Sequence, residues 1–168
     1  MAVMTTDFEH DTPGVIAPPP LMAVAVIVLG LLLDWIAPAY ILANVLSLTV
    51  RIVLGLALIA ASGFLHFSSV GLFRRAGTNP EPWKPTLHLI TGGIYRWLRN
   101  PIYVAGVLGI AGIAIIFASD WMMALDILFA FVLHFGVVRR EERYLEAKFG
   151  DAYRLYKLSV PRYGWPFF

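Results

Sequence analysis

The chain has 168 residues, 59% apolar and 14% charged, with a mean hydropathy of +0.73 and a net charge of +2. A soluble domain of this size carries about a quarter charged residues, so this composition cannot cover a water-facing surface and implies one domain in lipid. The absence of cysteine excludes disulfides, thiolate metal sites and thiol nucleophiles.

Residues 1–20 hold Asp7, Glu9 and Asp11 but no Lys or Arg. A signal peptide needs a basic start, so this segment reads as an uncleaved, mobile polar tail. Pro18, Pro19 and Pro20 precede a first apolar run, 21–37, close to the roughly 17-residue lower limit for a spanning helix. Asp34 lies near its far end and Pro38 stops it. Residues 39–50, between Pro38 and Arg51, read as an interfacial connection. The second run covers 52–73 and ends at Arg74 and Arg75; the third covers 101–118. Ser119, Asp120 and Trp121 form a turn into the fourth, 122–138. The expected fold is all-α: a polytopic membrane helical bundle of about four transmembrane helices plus a C-terminal cytoplasmic or interfacial helix. Residues 21–168 then form a single domain.

Of thirteen Lys and Arg, five lie between runs two and three and seven follow run four, leaving Arg51 as the exception. The excess of basic residues on cytoplasmic loops predicts that both termini are cytoplasmic. These residues also suit anionic headgroups, which is the plain explanation for most of them.

Two segments on that side resist a pure packing explanation. In 87–106, Gly92 and Gly93 allow a bend, and Asn100–Pro101 opens the third helix as N-cap and first residue. Its positive end, beside Arg99, suits a carboxylate. Tyr95 and Tyr103 flank it, either as interfacial anchors or as aromatic walls for a cation. In 139–165, Glu141 and Glu142 lie about one turn past the apolar run, and neither has a basic residue at i+4. An uncommitted carboxylate is expected there. Leu145 and Phe149 extend an apolar stripe along the membrane surface.

Within the runs, His66, Asp126 and His134 are ionisable and so are candidates for function. His66 and His134, however, lie near the cytoplasmic ends, where an imidazole simply reaches water, and Asp126 lies near the opposite end, facing the bundle or the outer interface. His134 precedes Glu141 by one heptad and is expected on its face. No histidine pair or acidic cluster suggests a metal. Phosphate-loop, dinucleotide and serine-nucleophile motifs are absent. The basic segments lack a stacking platform, which argues against nucleic acid.

Together the segments form a pattern. Gly93, Tyr95, Arg99, Asn100, Pro101 and Tyr103 fit G-x-Y-x-x-x-R-[HN]-P-x-Y. Glu141, Glu142, Leu145, Phe149, Gly150, Tyr153 and Tyr156, then Val160, Pro161 and Arg162, fit the second half. The combination resembles the isoprenylcysteine carboxyl methyltransferase family, including its bacterial members, and the related phospholipid methyltransferases. The resemblance implies an integral protein of the bacterial inner membrane that uses S-adenosylmethionine at the cytoplasmic face. It implies that Leu87, His88, Leu89, Ile90, Tyr95, Asn100, Pro101, Tyr103 and Glu141 bind the cofactor, and that Arg99, Tyr103 and Glu141 serve catalysis. The methyl acceptor would be an isoprenylcysteine-like carboxylate or a similar small lipophilic substrate. Phospholipid N-methylation is the alternative, and a non-enzymatic membrane protein keeping the scaffold is another. At the substrate-binding Arg position of the eukaryotic enzymes, one turn before Glu141, this chain has Val137.

Overall fold

A computed structural model describes residues 11–164. They form seven α-helices: α1 (Pro19–Ile36), α2 (Ile41–Val45), α3 (Leu48–Arg75), α4 (Pro101–Phe117), α5 (Asp120–Leu133), α6 (Arg139–Phe149) and α7 (Asp151–Ser159). A π-helical turn, His134–Val138, joins α5 to α6, and a short 3₁₀ turn, Gly93–Arg96, precedes α4. No strand occurs among the described residues.

Three helices are long and apolar enough to cross a membrane: α1, α3 and the continuous α5–α6 helix, Asp120–Phe149. The fourth, α4, is a shorter apolar helix of 17 residues. α3 packs along α4, and α5 packs on both α1 and α4. α1 and α3 are almost entirely exposed on their outer faces, as apolar helices in lipid must be.

The 39–50 connection differs from the sequence expectation. Ser47 caps a helix that begins at Leu48, accepting from the Val50 N–H (3.4 Å), so α3 takes Arg51 into its first turn. Its helix outlasts the apolar run at both ends. The α3–α4 crossing depends on paired glycines. A Cβ at Gly55 would come 2.7 Å from the Gly112 carbonyl, and one at Gly112 would come 2.8 Å from the Gly55 carbonyl. Small residues let helix backbones approach where lipid offers no hydrophobic drive for association.

The polar tail also departs from expectation where it is described, since residues 1–10 lie outside the described residues. Residues 11–18 run along α5 and α6. The Ile16 N–H donates to the Gly136 carbonyl (3.3 Å), and Arg140 Nη1 to the Gly14 carbonyl (2.8 Å). Lys148 Nζ lies 2.7 Å from the Asp11 carboxylate.

Two apolar clusters carry the core. One, in the helical bundle, centres on Ile110, Ala114, Met122, Phe129, Leu133 and Val137. The other sits at the end where α3 finishes and α4 starts, and consists of Tyr95, Tyr153, Tyr156 and Val160. Leu145 and Phe149 pack against this second cluster rather than lying along a lipid surface. After the Gly150 turn α7 packs back against α6, and its Tyr153 and Tyr156 join Tyr95 in the cluster that takes up the stripe.

Candidate active site

The second cluster floors a cleft between the start of α4, the start of α6, α7 and the 78–92 loop. Phe73, Leu89, Ile90, Ile102 and Leu145 supply apolar walls, and Thr86, His88, Asn100 and Arg99 polar ones. Tyr95, Tyr103, Tyr153, Tyr156, Glu141 and Glu142 also line it.

The local backbone explains why these side chains converge. Gly93 has φ +58°, and a Cβ there would come 2.8 Å from Leu72 Cδ1; the chain can bend against α3 only with glycine. The bend buries Tyr95, whose carbonyl accepts from the Tyr156 hydroxyl (2.7 Å). The C-terminal segment then returns under α4: the Arg99 N–H donates to the Pro161 carbonyl (3.0 Å), and Asn100 Nδ2 to the Arg162 carbonyl (3.2 Å). Asn100 therefore occupies the N-cap position without a side-chain capping bond. Its amide ties the C-terminal segment to the helix start instead. Pro101 is fully buried as first helical residue.

Glu141 and Glu142 have different partners. Glu142 is buried, accepts from Arg162 through Nε (3.0 Å) and Nη2 (2.7 Å), and lies 3.2 Å from Arg99 Nη2. It is the committed carboxylate of the pair, and its hydrogen bonds raise the Arg162 guanidinium above its usual value. Glu141 has one side-chain partner, the Tyr103 hydroxyl, which donates to Oε2 at 2.6 Å. Arg99 is also buried, and its Nε and Nη1 have no partner. Buried donors of this kind are rare and mark either strain or a ligand site. The cleft thus sets a lightly partnered carboxylate near a guanidinium with free donors. Burial, and then the Glu141 charge, push the Tyr95 hydroxyl above its usual value, so it stays protonated.

Of the residues expected at a cofactor site, His88, Leu89, Ile90, Tyr95, Asn100, Tyr103, Glu141 and Arg99 line this cleft. Leu87 does not: it is 55% exposed, its N–H donating to Thr78 Oγ1 (2.8 Å), which turns its side chain outward. Pro101 lies beneath the cleft as helix start rather than as wall. His134 also departs from expectation. A π turn is wider than an α turn, so it rotates everything after it and the heptad from His134 no longer reaches the Glu141 face. His134 Nδ1 instead meets the Tyr163 hydroxyl (2.8 Å). Burial pushes that hydroxyl up to about 12. Asp126 is buried in α5 and lines none of the cavities described here.

Phe73, Thr86, Leu145 and Arg162 escaped sequence reasoning as site residues. Leu145 and Arg162 carried a signal, their places in the second half-pattern; Phe73 and Thr86 carried none. A second cavity was not visible at all. It lies between α1, α3, α4 and α5, has a volume of about 420 Å³, and is lined mainly by apolar and small residues such as Ala105, Gly106, Gly109 and Phe129. Pro80, Ile102 and Tyr103 line both it and the cleft.

A family model described as phospholipid methyltransferase matches residues 50–152, more than half the chain. The chain belongs to the phospholipid methyltransferase family. It is an integral membrane methyltransferase. No curated protein and no solved structure shows a significant match. The methyltransferase match contains most of α3, all of α4 and α5, and both glutamates, while α1 and Arg162 lie beyond it. Methyltransferases of this family generally use S-adenosylmethionine, and the family suggests lipid substrates.

Proposed function

We propose that the protein transfers a methyl group from S-adenosylmethionine to a lipophilic acceptor at the cytoplasmic membrane face. On this reading, residues 21–168 act as one domain, both termini are cytoplasmic, and the membrane is a bacterial inner membrane. The observation that carries the proposal is the shared wall: one polar, ion-bearing cleft meets one apolar cavity between the apolar helices at Tyr103 and Ile102.

The cleft's chemistry suits the cofactor. Arg99 has two buried donors without partners, which match a carboxylate. Glu141 has acceptor capacity beyond its Tyr103 bond, which matches an ammonium. The Tyr95 and Tyr103 rings favour a cation, and Leu89 and Ile90 offer apolar surface to a base. When bound, S-adenosylmethionine supplies an electrophilic methyl on a cationic sulfur. The protein's part is to aim that methyl across the Tyr103 wall, exclude water, and hold the acceptor in line; such alignment lowers a bimolecular barrier substantially.

The cleft has a cavity volume of only about 50 Å³. Sites for ligands of this size run to about 300 Å³ or more, so binding requires the 78–92 loop to move outward. The Thr86 N–H bond to the Tyr144 hydroxyl (3.2 Å) ties that loop to α6, and the Thr78 N–H bond to the Phe73 carbonyl (3.1 Å) ties it to α3. Asn79 Nδ2 to the Pro85 carbonyl (3.1 Å) and Leu87 N–H to Thr78 Oγ1 (2.8 Å) brace it internally.

The test separates the two compartments. A Cβ at Gly106 meets nothing within 4 Å, so Gly106→Leu starts from open space and places its side chain in the apolar cavity. Purified protein in nanodiscs is titrated with labelled S-adenosylmethionine and then assayed for label in lipid. Gly106→Leu keeps cofactor affinity and loses acceptor methylation by about tenfold or more. Glu141→Gln weakens cofactor binding about ten- to a hundredfold, the range for a lost charge-assisted hydrogen bond. Wild-type protein that binds no S-adenosylmethionine, or binding indifferent to Glu141→Gln, refutes this assignment.

A further inference from the structure

The apolar cavity contains few groups able to take a proton. Among its lining residues these are His66 on α3, Tyr103 on α4 and Glu81 on the loop; α1 and α5 contribute only apolar side chains. The Tyr103 hydroxyl donates a hydrogen bond to Glu141 Oε2 at 2.6 Å. Glu81 is engaged by Lys84, Oε1 to Nζ 3.1 Å. His66 is exposed at the cavity mouth, makes no hydrogen bond among the described residues, and meets the Phe67 ring edge-on at 5.6 Å between centroids. It is the uncommitted base of the cavity.

Helix register places it beside the shared wall. Ser62 Oγ donates to the Ala105 carbonyl at 2.7 Å across the antiparallel α3–α4 pair. One turn along α3 from Ser62 is His66, and one turn back along α4 from Ala105 is Pro101–Ile102. His66 thus stands level with the first turn of α4, where Ile102 and Tyr103 separate cavity from cleft. No Lys or Arg lines the cavity, so an anionic acceptor finds no countercharge there.

We infer that His66 is the general base of methyl transfer, removing a proton from a single-chain or headgroup amine seated in the apolar cavity. This rests on the function proposed above. The reaction balances as follows. An ammonium acceptor gives its proton to a neutral His66 ring nitrogen, which frees the nitrogen lone pair. That pair forms the bond to the donor's methyl carbon, and the carbon–sulfur pair stays on sulfur, turning sulfonium into thioether. His66 then passes its proton to water. A general base that must act on each turnover contributes about a hundredfold or more. A carboxylate acceptor has no proton to give up and needs no such base.

The probes are dodecylamine, phosphatidylethanolamine vesicles and a farnesylated N-acetylcysteine, each offered with labelled S-adenosylmethionine to the full chain in nanodiscs. The expected result is methylation of at least one amine probe. His66→Ala lowers kcat for it about a hundredfold with KM changed less than threefold, flattens the acid limb of the pH–rate profile, and is partly rescued by added imidazole. His66→Gln, which keeps shape but not basicity, is as slow as alanine. Independently of turnover, the ring protons of His66 shift in NMR spectra when dodecylamine is added without cofactor. Methylation of the carboxylate probe alone, a His66 resonance indifferent to dodecylamine, or full activity in His66→Gln each overturns the inference. Cofactor affinity is the separate readout: if wild type binds no S-adenosylmethionine, the underlying function fails, whereas intact binding with any of those three outcomes removes only the role of His66.

Discussion

Both ends of the bundle bring two carboxylates beside helix starts, and they leave them in different states. At the end away from the cleft, Asp34 accepts from the Ser119 hydroxyl and, at 3.3 Å, from the Trp121 N–H. Asp120 accepts from the Ile41 and Leu42 N–H groups at 2.8 and 2.9 Å, fixing the α2 start. Those acids satisfy helix starts that would otherwise carry free N–H groups. At the cleft end, Glu142 is consumed by Arg162 and Arg99, but Arg99 keeps two unpartnered donors and Glu141 a single bond. Hydrogen-bonding capacity left over in a buried setting costs stability unless something else uses it. The difference separates scaffold from site better than residue type does, because all four residues are acids.

The largest effect expected from that contrast is on stability. Glu142→Ala leaves the Arg99 guanidinium buried without its counter-ion, at a cost of about 3–5 kcal/mol. Chemical denaturation in detergent measures this, with Glu141→Gln as the counterpart that keeps stability and loses cofactor affinity. Equal destabilisation by both variants would make the two glutamates one structural unit and dissolve the contrast. At the opposite end, Ser119→Ala removes the α5 cap, whose hydroxyl accepts from the Met122 N–H at 3.2 Å. The expected loss is about 1 kcal/mol, with cofactor affinity unchanged. A change in affinity there would mean that the ends are coupled.

How much of this was legible depended on whether a feature was local. The apolar runs located the membrane helices within a few residues, since each is bounded by Pro, Arg or a Ser–Asp turn that acts on its own neighbours. The two half-patterns located most of the cleft for the same reason. What failed needed facts at a distance. Which glutamate would be free depended on Arg162, twenty positions from Glu142. The face of His134 depended on a π turn, and heptad arithmetic assumes constant pitch. Leu145 and Phe149 form an amphipathic stripe that lipid and a folded-back α7 satisfy equally well. The apolar cavity is assembled from residues of four helices and the 78–92 loop, so no one segment carries it.

The smallest effect tests the contrast on a third polar cluster, close to the cleft yet fully partnered. Asp11 accepts from Lys148 (2.7 Å) and from the Tyr144 hydroxyl (2.8 Å), while that hydroxyl accepts from the Thr86 N–H of the cleft loop. If satisfied polar groups are scaffold, loosening this cluster changes the tail's stability and leaves the cofactor site nearly as it was. The hydrogen bonds from Lys148 and Tyr144 hold the Asp11 carboxyl below its usual value. A carboxyl lowered on folding contributes stability above its unfolded value of about 4, and the contribution disappears as pH falls through the folded one. The pair is partly exposed, so the amount is below about 1 kcal/mol. Exchange of the Ile16 amide, corrected for its intrinsic rate, reads the tail directly because that N–H is bonded to Gly136. Its protection is expected to hold from neutral pH down to about 5 and to fall below about 4, and Asp11→Asn should remove that pH dependence. S-adenosylmethionine affinity measured at neutral pH should differ less than threefold between wild type and Asp11→Asn. A larger drop would mean that Tyr144 transmits the tail's state to the Thr86 loop, and a satisfied cluster would then be part of the site after all.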